Sequence, residues 1–180
     1  LNQTGQAKSY VERLFDFTEI GRLDTESAAR ALTAPAAKAG VKFSLDALQE
    51  ILRQTDGYPY FLQEWGKHAW DVAVASPIRA DDVHVATRNA LAYLDASFFR
   101  VRFERLTPRE KNYLRGMAEL GPGPHRSSGV ADQLGGKVTS VSPIRNTLVA
   151  KGMIYSPRHG EVAFTVPLFD GFMKRMMPGR

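Results

Sequence analysis

Apolar residues recur along most of this chain at the three- and four-residue spacing of helices, and they alternate in only a few short places. Tyr10 to Phe17 alternates imperfectly and predicts a short strand. Asp24 caps a helix through Ala28, Ala29 and Leu32, which Pro35 should interrupt before Gly40. Ser44 caps the next helix, where Leu45, Leu48, Ile51 and Leu52 form one apolar face ending at a left-handed Gly57. Pro59 opens a third helix with Phe61, Leu62, Trp65, Ala69 and Trp70 on a broad apolar face, and Ser76-Pro77 marks a break. Asp81 or Asp82 starts a long helix towards Glu104, its apolar positions Val83, Val85, Ala86, Ala90, Leu91, Leu94 and Phe98.

The pattern changes at Thr107-Pro108-Arg109-Glu110, a capping box with proline at the first helical position. This helix carries Tyr113, Leu114, Met117 and Ala118, and Gly121-Pro122-Gly123-Pro124 stops it. Ser127 or Ser128 starts a short helix that ends at Gly135-Gly136. Another helix runs from Thr139 or Ser142 to Lys151 with Ile144, Leu148 and Val149 inward. Met153-Ile154-Tyr155 and Val162 to Val166 are strand-like, joined by a turn at Pro157-Arg158-His159-Gly160, and a final helix spans about 168–176. Three helices and a hairpin are the order of a winged helix-turn-helix. The expected fold is mainly α: residues 1–23 as an arm or terminal strand, a helical bundle over 24–80, a connecting helix over 81–106, and the winged helix over 107–180.

The 180 residues are 43% hydrophobic and 24% charged, values of a globular chain. The absence of cysteine excludes disulfides, thiolate metal sites and a cysteine nucleophile. No apolar run is long enough to span a bilayer and no signal peptide is visible, so the expectation is a cytoplasmic protein without a membrane partner. Charge is uneven. Residues 1–106 hold 13 basic and 14 acidic side chains, whereas 107–180 hold 11 and 5, a local net of +6. Such an excess attracts polyanions, although it also serves solubility.

No phosphate loop, dinucleotide fingerprint or nucleophile elbow occurs, and the histidines lack zinc-protease spacing. Neither catalysis nor a metal is expected of these residues. The chemistry lies in the basic part. The last helix before the hairpin would present Thr139, Ser140, Ser142, Arg145 and Asn146 to a DNA groove, since Arg matches guanine, Asn matches adenine, and hydroxyls meet phosphate. Lys137 and Lys151 would reach backbone phosphates, as would Ser127 and Ser128 at a helix start, with Arg158 and His159 at the wing tip. Plain alternatives stand beside these: Ser142 can cap, and Arg145 can pair with a carboxylate. Tyr58, Tyr60, Phe61, Trp65 and Trp70 read better as a core face than as a base-stacking platform.

The strand-like Arg13-Leu14-Phe15-Asp16-Phe17, the bundle and the winged helix together resemble the C-terminal half of an AAA+ or STAND-type P-loop ATPase, of the archaeal or origin-recognition type. Thr55-Asp56-Gly57-Tyr58-Pro59-Tyr60-Phe61-Leu62 resembles the Gly-x-Pro lid motif of those families. The resemblance implies that Gly57, Tyr58 and Pro59 border a nucleotide, but a glycine cap and a proline helix start explain the same residues. It further implies a larger parent with an N-terminal ATPase core that binds ATP and magnesium, and none of either in this part alone. Double-stranded DNA is the expected partner. The alternatives are a winged helix that docks a protein or inhibits its own ATPase, and a stand-alone transcriptional regulator.

Overall fold

The computed structural model describes residues 21–179. The strand expected at Tyr10 to Phe17, and the arm before residue 21, lie outside the described residues. The described chain is mainly helical, with one small three-stranded antiparallel sheet. No helix in it is long and apolar enough to cross a membrane.

Helix α1 (Thr25–Lys38) starts where Asp24 accepts the Ser27 N–H at 2.8 Å. It does not break at Pro35, contrary to the expectation. The missing N–H costs one hydrogen bond, yet Ala28, Leu32 and Ala36 are buried on one face across the proline, and that packing holds the helix together. Helix α2 (Leu45–Thr55) begins at Ser44, but the Ser44 hydroxyl donates to Ile78 O at 3.0 Å instead of capping. Its face is also rotated from the expected one: Ala47, Ile51 and Thr55 are buried, while Leu45 is 72% exposed. The hydroxyl bond to Ile78 lies beside an isolated parallel bridge between Phe43 and Ile78, made by Ser44 N–H to Ile78 O at 2.9 Å and Ile78 N–H to Lys42 O at 2.8 Å.

The turn after α2 is left-handed from Asp56 (φ 50°), one residue before the expected glycine, and continues at Gly57 (φ 68°). Gly57 is buried, and a Cβ there would sit 2.4 Å from Leu23 O. The Leu23 N–H donates to Gly57 O at 2.9 Å, and Arg22 pairs with Asp56. Glycine at this position therefore lets the incoming chain lie against the turn. Helix α3 (Pro59–Val72) follows with proline at its first position. Phe61, Leu62, Trp65 and Ala69 are buried as expected, but Trp70 is 43% exposed.

Helix α4 (Ala80–Leu94) starts one or two residues before the expected aspartates, with the Asp82 carboxylate accepting the Arg79 N–H at 2.8 Å. Val83, Ala86, Ala90 and Leu94 are buried, whereas Val85 faces out. The rod continues through one π-helical turn (Asp95–Phe99) into α5 (Arg100–Glu104). That wider turn had no sequence signal. It brings Phe99 fully inside, 5.9 Å from the Phe61 ring, 5.7 Å from Phe169 and 5.2 Å from Phe172. One continuous core thus runs from the bundle to the last helix.

Helix α6 (Pro108–Glu119) carries the expected capping box: Glu110 accepts the Thr107 N–H at 2.8 Å, and the Glu110 N–H reaches Thr107 Oγ1 at 3.3 Å. After the Gly-Pro stop come β1 (His125–Arg126), α7 (Ser127–Gln133), α8 (Val138–Ala150), β2 (Ile154–Tyr155), β3 (Glu161–Phe164) and α9 (Phe169–Met176). The sequence predicts only the β2–β3 hairpin. The unforeseen β1 pairs on the other side of β3, giving the order β1-β3-β2 with His125 opposite Val162 and Ile154 opposite Phe164. Helix α8 starts at Val138 rather than at Thr139 or Ser142. Ser142 is therefore inside the helix and not a cap, its hydroxyl donating to Val138 O at 2.7 Å. Val141 and Leu148 form the buried side of α8, and Val149 is 39% exposed rather than inward.

Candidate functional site

Helix α8 and the β2–β3 turn face each other across an open cleft of about 540 Å³. The fold builds it from three places. Ser142 and Arg145 come from one side of α8, and Arg158 and His159 come from the turn. Ser127 comes from the start of α7, where its N–H donates to Gly160 O at 2.8 Å and fastens that turn to the helix. Among the described residues, no carboxylate lines the cleft. Five of the expected contact residues are therefore collected on one surface with an uncompensated positive charge.

Arg145 is the most constrained of them. Its guanidinium donates to the Ser156 hydroxyl, and to Asn146 Oδ1 at 3.4 Å, which orients the planar group along the cleft. Near it lies Tyr113 of α6, only 1% exposed, whose hydroxyl has no partner among the described residues; Arg145 Nε is likewise buried without one among them. Burial raises the Tyr113 phenol above its ordinary pKa, and the Arg145 charge offsets part of that rise. A fixed arginine fork with unused donors is a recognition group for planar or tetrahedral oxyanions. Ser156 was missed in the sequence. Its signal was the Ser-Pro step at the start of the turn, a place where a hydroxyl commonly meets a neighbouring strand or helix.

The other expected contacts are distributed differently. Lys137 stands exposed before the first turn of α8, and Thr139 and Ser140 are exposed within it. The Ser140 hydroxyl is already bonded to Lys137 O at 2.6 Å. Ser128 is exposed on α7. Lys151 lies at the opposite end of α8. Its ammonium is 2.7 Å from the buried Glu110 carboxylate and 3.2 Å from Arg105 O, so it joins α8 to the start of α6. Gly57, Tyr58 and Pro59 lie together at the start of α3, outside this cleft; Tyr58 and Pro59 are part-buried, with Tyr58 packed 4.7 Å from Phe61. No cluster of metal-ligating side chains exists among the described residues.

A family described as a domain of unknown function (DUF8462) matches residues 96–173. No curated protein matches the sequence. Among solved structures, a Walker-type ATPase of Pyrococcus abyssi overlays 85% of this chain with a TM-score of 0.67 at 18% identity. The RuvB Holliday junction branch migration motor of Thermotoga maritima covers 81% of the chain at 18% identity with a TM-score of 0.39, and a point mutant of it reaches 0.40 at 17%. The Pyrococcus likeness shows a shared fold. This chain spans 42% of the length of that ATPase and 47% of the length of RuvB.

Proposed function

We propose that residues 107–179 form a winged helix that binds duplex DNA through α8 and the β2–β3 turn. In this reading residues 24–80 are the lid-like bundle, 81–106 the connector, and the whole is one part of a P-loop ATPase. The observation that carries the DNA reading is the cleft itself, where Arg145 and Arg158 from separate elements face one opening without a carboxylate. The order of α6, β1, α7, α8, β2 and β3 supports the winged-helix assignment, with α8 as the element offered to a groove. The fold shared with a Walker-type ATPase supports the parent.

ATP and magnesium belong to the core of that parent. Their fit to the described residues is partial. The space that Gly57 leaves is filled by Leu23 O, so Gly57 serves the chain's own backbone. Tyr58 and Pro59 remain accessible and would supply an apolar edge to a bound base. The phosphates and the metal find no holder in the bundle. The full-length parent is expected to bind ATP, and a parent with no measurable ATP affinity by calorimetry would remove the nucleotide half of this reading.

For the DNA half, the 180-residue chain is titrated into a fluorescent duplex of about 20 base pairs at about 50 to 200 mM salt. Dissociation constants of about 1–100 μM, rising steeply with salt, are expected for phosphate-dominated contact. Arg145→Glu with Arg158→Glu should weaken binding at least about tenfold and lower the salt slope by about 2, with the helical signal intact. Wild-type affinity in that variant would overturn the assignment. One observation favours a second reading. Val138, Val149 and Tyr155 on α8 and β2 are 41%, 39% and 48% exposed, apolar surface suited to a protein partner. The absence of DNA binding at low salt would turn the proposal to that docking role.

A further inference from the structure

A second cleft, of about 630 Å³, opens where the connector meets α8 at the end away from the β2–β3 turn. Arg102 and Arg105 line it from the end of the rod, and Lys151 lines it from the end of α8. Its walls are apolar: half-exposed Val101, with Leu106 and Met153. The charges do not cancel. Lys151 is matched by the buried Glu110 of α6, which does not line the cleft itself. Arg105 makes no side-chain hydrogen bond or ion pair among the described residues. Arg102 lies 3.8 Å over the Phe98 ring and donates to Phe98 O at 2.8 Å, contacts that fix its guanidinium without neutralising it.

Two arginines three residues apart on one helical face repel each other, and Lys151, drawn in by Glu110, brings no carboxylate into the cleft lining to offset them. The helix end favours a cation in its last turn, but not a pair of guanidiniums opening on an apolar-walled cavity. Guanidinium forks match phosphate oxygens two at a time, and low-dielectric walls focus their field into the opening. The volume is that of a small-ligand site.

We infer that this cleft is a phosphate site, in which Arg102 and Arg105 grip the phosphates of an oligophosphate or of a DNA backbone. The apolar walls take the carbon part of a ligand when it has one. Lys151 keeps the rim closed through Glu110 and is not itself the anion ligand. If the phosphates come from DNA, the footprint proposed above extends from the hairpin along α8 to the connector, and that arm rests on the DNA reading.

The test compares wild type with Arg102→Gln/Arg105→Gln, leaving Lys151 in place. Arg105→Gln alone serves as a second variant that touches no packed ring. Sodium tripolyphosphate binding is followed by calorimetry and duplex DNA binding by anisotropy, with circular dichroism as a check on folding. Tripolyphosphate affinity reduced at least about tenfold, with DNA binding unchanged, supports the site and assigns it to free oligophosphates. DNA affinity reduced with a salt slope smaller by about 2 supports the site and assigns it to DNA. Variants that bind both probes as wild type does, or a wild type that binds neither, overturn it. Because Arg145 and Arg158 lie in the other cleft, a chain that loses DNA through them but not through Arg102 and Arg105 keeps the DNA reading and rejects this one.

Discussion

Phe99→Ala is expected to cost about 3–5 kcal/mol of folding stability, the range for emptying a buried aromatic site. Phe99 has no exposed surface and sits at the centre of three rings from two other elements: Phe61 of α3, and Phe169 and Phe172 of α9. Its edge-on contacts with Phe61 and Phe169 add specific aromatic attraction to the area it buries. The larger consequence concerns cooperativity. Both tryptophans lie in α3, so their fluorescence follows the bundle, whereas far-ultraviolet dichroism follows every helix. In wild type the two urea transitions should coincide, because one core joins the halves. In Phe99→Ala the midpoints should fall and separate. A variant that loses less than about 1 kcal/mol, with coincident transitions, would show that the ring is not the link between the halves.

The second large effect is expected at Lys151→Met. Glu110 is 5% exposed, and its carboxylate accepts from the Thr107 N–H at 2.8 Å and from Lys151 at 2.7 Å. Removing the ammonium leaves a buried charge with one donor. Breaking a buried pair from one side costs about 3–5 kcal/mol; Lys151 keeps 35% of its side chain in solvent, so about 2–3 kcal/mol is the better figure here. The thermal midpoint should drop by about 5–10 °C for a chain of this size. Adding Glu110→Gln to Lys151→Met should recover part of the loss, since the neutral amide needs no cation. A full additive loss in the double variant would sink the pairing argument.

The same pair has a pH signature. Burial raises the Glu110 pKa, but the hydrogen bonds from Lys151 and Thr107 and the Lys151 charge outweigh burial and hold it below the ordinary glutamate value. A carboxylate depressed in the folded state adds stability above its unfolded pKa, near 4.3 for glutamate, and that stability is lost as pH falls through the folded value. Wild type should therefore lose more stability than Lys151→Met on acidification below about pH 4.3. Glu50, lowered to about 2 by its hydrogen bonds from Arg53 and Gln54, contributes alike to both proteins and leaves the difference intact.

The features legible in the sequence are those decided within one turn of chain. Thr107-Pro108-Arg109-Glu110 states its own hydrogen bonds, and Asp24 and Pro59 mark their helix starts in the same local way. Pro35 misleads because its effect is settled by burial of Ala28, Leu32 and Ala36 against other elements. Strand β1 is two residues long and exists through its pairing with β3, so no alternation could announce it. For the candidate site, residue types were readable but company was not. Arg145 and Arg158 meet because the hairpin folds back beside α8. Lys151 meets Glu110 across 41 positions, a partnership that spacing cannot encode, and that distance is why it was read as a free phosphate contact. Arg102 and Arg105 belong to no motif that would single them out in the sequence.

The π-helical turn at Asp95–Phe99 also has a directional meaning. Each residue of an α-helix turns the chain by about 100°, so one residue more or less in the rod swings everything beyond it through roughly that angle. The stripe of Val83, Ala86, Ala90 and Leu94 points into the bundle, while Phe99, a turn later, must look towards α9 as well. The wider turn makes both headings available on one rod. It works as a rotational setting within the rod: the compass bearing of Phe99 and α5, seen from the bundle, is written in the five residues Asp95–Phe99.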